Sequence, residues 1–183
     1  MDFNKGVLKI IGTEKTPVIL SNRKKEKAWL GIFSTGTLEV SYAYFSGIKG
    51  ESVIRQIEGT AKMQNTLSQY NKVRETASFN ICPVVINNNI VKHSKGEGIL
   101  LLKCSGIVKN NSLFGIPDAI EATHCKDLTI TENFIIDASD DGIDVNFGSN
   151  IHVNYNTAIN CKDKGMSVSG NEHDSTIFFE GKT

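Results

Sequence analysis

Ile86, Val108, Ile130 and Val153 open four stretches of this chain that superpose on one another at steps of 21 to 23 residues. Three residues further on stand Asn89, Asn111, Asn133 and Asn156, followed by Val91, Leu113, Ile135 and Ala158. Each copy closes on a small residue and an alternating apolar pair: Gly98-Ile99-x-Leu101, Ala119-Ile120-x-Ala122, Gly142-Ile143-x-Val145 and Gly165-Met166-x-Val168. A fixed period of this length is the mark of a solenoid, in which no single unit can bury its apolar face without its neighbours. Within each copy the apolar residues alternate with a period of two, and Asn, Asp, Gly and Ser punctuate them, so each repeat holds two or three short strands separated by corners. Strands stacked on their own copies one coil away need no crossover helices. The expected fold is all-β: a right-handed single-stranded parallel β-helix of roughly six coils, each about 22 residues long.

A leucine-rich repeat of similar period would require L-x-x-L-x-L-x-x-N, which the chain does not supply. Residues 6–47 suit the same architecture in less regular form, with Leu8, Ile10, Val18, Leu20 and Ile32 lining one coil and Leu38, Val40, Ala43 and Phe45 opening the next. Residues 48–78 break the pattern and read as an irregular coil, a short helix or an insertion. Residues 1–183 are otherwise expected to form one β-helix domain. Both ends look uncapped, with strand-like Gly6–Gly12 at the start and Ser175–Glu180 near the end. That suggests a piece of a longer chain and end-to-end self-association through open coil ends.

Twenty basic and twenty acidic residues cancel, so no global field draws the chain to nucleic acid or an anionic membrane. No apolar run reaches the roughly 18 residues of a membrane span. Met1-Asp2-Phe3-Asn4 does not begin a signal peptide. Cys82, Cys104 and Cys125 lie 22 and 21 residues apart and should stack as a buried column at one corner. A disulfide between neighbours is open to them because adjacent coils are ~4.8 Å apart. With Cys161 they show no zinc spacing.

The segments Leu8–Thr13, Thr16–Ile19 and Trp29–Phe33, together with Asp140-Asp-Gly-Ile-Asp-Val145 and Asp163-Lys-Gly-Met-Ser-Val168, resemble the right-handed parallel β-helix repeat proteins of the pectate-lyase-like superfamily. They are most similar to the β-helical modules that accompany spore-coat-kinase-like domains in secreted bacterial proteins. The resemblance covers most of the chain outside 48–78. It is specific for fold rather than for activity, because its consensus is a packing motif shared by lyases, hydrolases, epimerases and adhesins. It implies an extracellular or cell-surface setting within a longer secreted protein.

The candidate site is acidic. Ile143 and Val145 must face inward, so Asp144 points outward. The register sets Glu121 beside it one coil earlier and Ser167 one coil later. Glu97, Asp118, Asp141 and Lys164 form a second column, and Asp140 and Asp163 add carboxylates at the same edge. Such crowding raises carboxylate pKa values unless a cation intervenes. The expected metal is Ca²⁺, with Asp118, Glu121, Asp141 and Asp144 as oxygen ligands. The resemblance to polysaccharide lyases implies calcium bridging substrate uronates, with Lys164 or Lys162 as proton-abstracting base, Asp141 beside Lys164, and Glu121, Asp144 and Lys162 holding substrate. Ser139–Asp144 with Lys162-Asp-Lys164 also echoes polygalacturonase signatures. However, Lys164 replaces the paired second aspartate, and that family's His-Gly and Arg-x-Lys motifs are missing.

The asparagine column reads as scaffold: corner residues near left-handed φ whose amides stack. His93, His124, His152 and His173 are scattered without metal spacing. Trp29, Tyr42 and Tyr44 would stack on sugar rings if exposed, although Trp29 suits the packing of the first coil better. The leading functional expectation is a polysaccharide-binding module. A calcium-dependent polysaccharide lyase and a non-catalytic spacer are the alternatives.

Overall fold

In the computed structural model, which describes residues 2–3, 6–22, 29–170 and 177–180, every strand pairing is parallel. The strands form three sheets of eight, eight and seven. One coil shows the plan: Glu97–Leu102 lies in the first sheet, Ser105–Lys109 in the second and Ser112–Phe114 in the third, before the chain re-enters the first at Ile120–Thr123. The repeat read from the sequence is the register of the sheets. Ile99, Ile120, Ile143 and Met166 are partners in succession, as are Ile86, Val108, Ile130 and Val153. The chain is therefore a parallel β-helix.

Alternation sets the interior. Ile120, Ala122, Ile143 and Val145 are fully buried, as are Leu101, Leu113, Ile130 and Ile135; each large aliphatic contributes about 1.5–3 kcal/mol by leaving water. At the entry to two of the first-sheet strands the small residue answers a steric demand. A Cβ on Gly142 would meet the Gly165 carbonyl oxygen at 2.5 Å, and one on Gly98 would meet that of Ala119 at 2.5 Å.

Residues 48–78 run in the same tube. They hold Lys49–Ile57, Thr60–Gln64, Leu67–Gln69 and most of Lys72–Asn80, paired with flanking coils at 23-residue steps such as Ala77 with Ile54 and Ile86 with Met63. The stretch that reads as irregular is a coil like the others. Its pattern is masked because polar side chains occupy inward positions: Gln56, Ser52, Thr66, Ser68 and Asn71 are all buried. Gln56 Nε2 donates to the carbonyls of Gly36 and Glu58, both at 2.6 Å, which meets the requirement that buried donors be paired.

The corners rest on left-handed residues stacked in columns. Ile81, Lys103, His124 and Phe147 leave the first sheet; Asn65, Asn88, Asn110, Glu132 and Tyr155 leave the second; Tyr70, His93, Asp137 and Asn160 leave the third. All have φ between 51° and 57°, a region that only short polar residues and glycine enter readily. The coil-to-coil ladder continues through them, as in Ile81 N–H to Leu102 O at 2.9 Å.

This corrects the expected role of the asparagine column. Asn89, Asn111 and Asn133 do not take the left-handed turn; the residue before each does. The turn aims the following amide inward, where it is buried. Asn111 Oδ1 accepts the backbone N–H and the Nδ2 of Asn89, at 3.0 and 2.9 Å. Asn111 Nδ2 donates to Ile86 O and to Asn133 Oδ1. The expected cysteine column is also present, with Cys82, Cys104 and Cys125 all buried and unbridged.

Candidate functional site

The outer face of the first sheet carries the acidic residues. Glu121 pairs with Asp144 and Asp144 with Ser167, because the inward Ile120, Ile143 and Met166 leave these positions pointing out. Ahead of each strand, Asp118 and Asp141 repeat the asparagine device. Asp118 Oδ1 accepts the Asp141 backbone N–H at 3.0 Å, and Asp141 Oδ1 accepts that of Lys164 at 3.0 Å. One oxygen of each carboxylate is thus committed to holding coils together. This explains why Asp141 is only 8% exposed.

The four expected metal ligands do not converge on one point. Among the described residues two groups form instead, each with carboxylate oxygens within 4.8 Å of one another: Glu97 with Asp118 and Glu121, and Asp140 with Asp141 and Asp163. The coil step along the sheet separates Glu121 from Asp141. Asp144 belongs to neither group, and its Oδ2 accepts from Asn146 Nδ2 at 2.6 Å.

The two groups differ in their charge balance. In the second, the Lys164 ammonium sits 3.8 Å from Asp141 Oδ1 and hydrogen-bonds Asp163. This pairing, the Asp163 contact above all, raises the Lys164 pKa. Lys162 is exposed, and its backbone N–H donates to Ala138 O at 2.9 Å. In the first group, burial raises the pKa of Asp118 and of Glu121, opposed by the Asp141 N–H at Asp118 and the Thr123 hydroxyl at Glu121 and reinforced by neighbouring carboxylates. Glu97 Oε2 is buried without a hydrogen-bond partner among the described residues.

Raised carboxylate pKa values carry a sign. The native state holds these protons to higher pH than the unfolded chain does, so their contribution is complete below the unfolded values, about 3.9 for Asp and 4.3 for Glu. It is lost as pH rises through the folded values. Like charges on neighbouring strands cost of order 0.5 kcal/mol. In metal-free buffer at pH 7, Glu121→Gln should therefore raise Tm by about 1–2 °C, and the gain should vanish near pH 4. Thermal melts at the two pH values check this.

Toward the other end of the same face, Arg55, Arg74, Glu75 and Asn80 line a cleft of about 200 Å³. Arg55 lies over the Phe33 ring, 6.0 Å from its centroid, and Arg74 pairs with Glu75 at 3.4 Å. The face thus runs from guanidinium to carboxylate through Ser78, Leu100 and Leu102, with Thr123, Asn146 and Ser167 beside and beyond the carboxylates.

Aromatic features were less legible. Tyr42 and Tyr44 are half-buried and line a groove of about 490 Å³ with Asn65, Leu67, Asn88 and Ile90. Trp29 stacks on Phe45 at 6.5 Å, as packing of the first coil would have it. Two histidines that look isolated in sequence stack on rings one coil away: His93 on Tyr70 at 5.5 Å and His124 on Phe147 at 5.1 Å. The 23-residue spacing within each pair was the available signal. His173 lies outside the described residues.

A family model described as "Right handed beta helix region" matches residues 30–179. No curated protein and no solved structure gives a match.

Proposed function

This chain belongs to the right handed beta helix region family, and from that premise we propose that it is a carbohydrate-associated module that binds polysaccharide along the outer face of its first sheet. The observation that carries this reading is the face itself. Outward hydrogen-bonding side chains repeat in coil-to-coil register toward the acidic end, where Thr123, Asn146 and Ser169 are consecutive partners in one column and Leu102 separates them from Asn80, at the ~4.8 Å spacing of paired strands. A polymer whose hydroxyl groups recur along its length finds equivalent partners at the three successive coils from Thr123 to Ser169, on a support that does not need to reorganise. The setting that goes with this role is extracellular or at the cell surface.

Calcium fits the first carboxylate group. Glu97, Asp118 and Glu121 would hold it, because hard oxygen ligands suit that ion and the unpartnered Glu97 Oε2 would gain a ligand bond. Once bound, the ion would supply positive charge for the acidic groups of a uronate polymer. The lyase alternative draws less support. A proton-abstracting lysine must be neutral to act, and two carboxylates hold Lys164 in its charged form.

Calcium should bind with Kd on the scale of about 0.1–1 mM, the range of extracellular modules. At tenfold excess over Kd it should raise Tm by about 3–6 °C. Calorimetric titration and melts with and without chelator measure both, and no response in either removes the ion from this account. On a glycan array, binding to acidic polysaccharides should be lost with chelator and with Glu121→Gln, and no ultraviolet-absorbing unsaturated product should accumulate. An array without any bound glycan would contradict the binding role and leave the spacer reading.

A further inference from the structure

We propose that Cys82 and Cys104 are a modification site, the two halves of a disulfide that staples adjacent coils under oxidising conditions. The two residues follow partnered corners of consecutive coils, immediately before the register pair Pro83 and Ser105. Their sulfurs are 3.9 Å apart in the reduced protein. Neighbouring coils at ~4.8 Å fall within the 4.4–6.8 Å Cα separation that a disulfide spans, so the bond requires side-chain rotation and no movement of one coil past another.

The third thiol of the column is held differently. Cys125 Sγ accepts the backbone N–H of Cys104 at 3.4 Å and lies 3.5 Å from Leu101 O. Cys104 Sγ also meets a carbonyl, that of Leu102 at 3.4 Å, so the approach of the Cys82 sulfur to 3.9 Å is what selects Cys82 as the partner of Cys104. Cys161 is half-buried and outside the column.

The oxidant is a small organic disulfide, RSSR, encountered during folding before the corner is sealed. Either thiolate of the pair can open the exchange; with Cys104 first, it attacks one sulfur, forming the mixed disulfide Cys104–S–SR and releasing RS⁻. Cys82 loses its proton, attacks Cys104 Sγ and expels the second RS⁻, so two thiols are oxidised and one RSSR is reduced to two RSH. Closing a loop of this length constrains the unfolded chain, and oxidising compartments outside the cytosol preserve such bonds.

The test uses the full chain carrying Cys161→Ser, refolded from the reduced, unfolded state in oxidised glutathione, alkylated after unfolding and digested with trypsin. Cleavage after Arg74, Lys92, Lys103, Lys109 and Lys126 places the three cysteines on separate peptides. The expected product joins residues 75–92 to residues 104–109, two hydrogens lighter than their sum, with Cys125 alkylated. The oxidised protein should melt about 5–10 °C above the reduced one, and Cys82→Ala should abolish both effects. Full alkylation of all three cysteines, a Cys104–Cys125 product, or a linked protein that melts lower than the reduced form would overturn the proposal.

Discussion

Asn111→Ala should destabilise the protein by about 3–5 kcal/mol, among the largest effects of any single substitution in the tube. The side chain is fully buried and makes four hydrogen bonds. Truncation strands the Asn89 backbone N–H, one of the two Asn89 Nδ2 hydrogens, the Ile86 carbonyl and part of the bonding capacity of Asn133 Oδ1, while Nδ2 keeps its bond to Met63 O. Each buried polar group left unpaired costs about 1–3 kcal/mol, and relaxation recovers only part of the total. The same change at Asn156, which is half-buried at the end of the ladder, strands fewer enclosed groups and should cost about 1–2 kcal/mol. Urea denaturation of the two variants checks the ratio. Equal losses would mean that the amides do not act as a continuous ladder.

Phe79→Ala should be comparably severe, at about 3–5 kcal/mol. Phe79 is completely enclosed, between Gln56 one coil earlier and Leu101 one coil later. Backbone ladders on both sides fix the coil spacing, so the cavity cannot collapse along the axis and the loss should fall toward the upper end. Phe134→Ala is the comparison: that ring is 38% exposed, and its truncation should cost about 1 kcal/mol or less.

The sequence exposed the register because side chains 21 to 23 residues apart face identical surroundings, so the interior selects similar residues at each coil. Ile120, Ile143 and Met166 were legible for that reason. Residues 48–78 were not, because Gln56, Ser68 and Asn71 satisfy the interior through hydrogen bonds rather than through apolar surface. The acidic face was half legible. Register alone placed Glu121 against Asp144, but it could not show that Asp118 and Asp141 each spend an oxygen on a backbone N–H, or that Lys164 neutralises the group around Asp141. The role of Glu97 was hidden for the same reason: its isolation depends on side-chain direction, which periodicity does not encode. The tyrosine groove depends on two coils and two sheets at once, beyond the reach of any single repeat.

Every site described here depends on residues one coil apart being neighbours in space. Lys62, Val85, Ile107 and Thr129 are successive outward partners on the second sheet, and nitroxide labels on cysteines placed at Lys62 and Val85, in the Cys161→Ser background, read that spacing directly. Strong dipolar broadening is expected for the 62/85 pair, with backbones ~5 Å apart, and much weaker broadening for 62/129 at ~14 Å, three coils away. Labels that show no contact at 62/85, or equal coupling in both pairs, would contradict the stacked register and dissolve the proposed binding face with it.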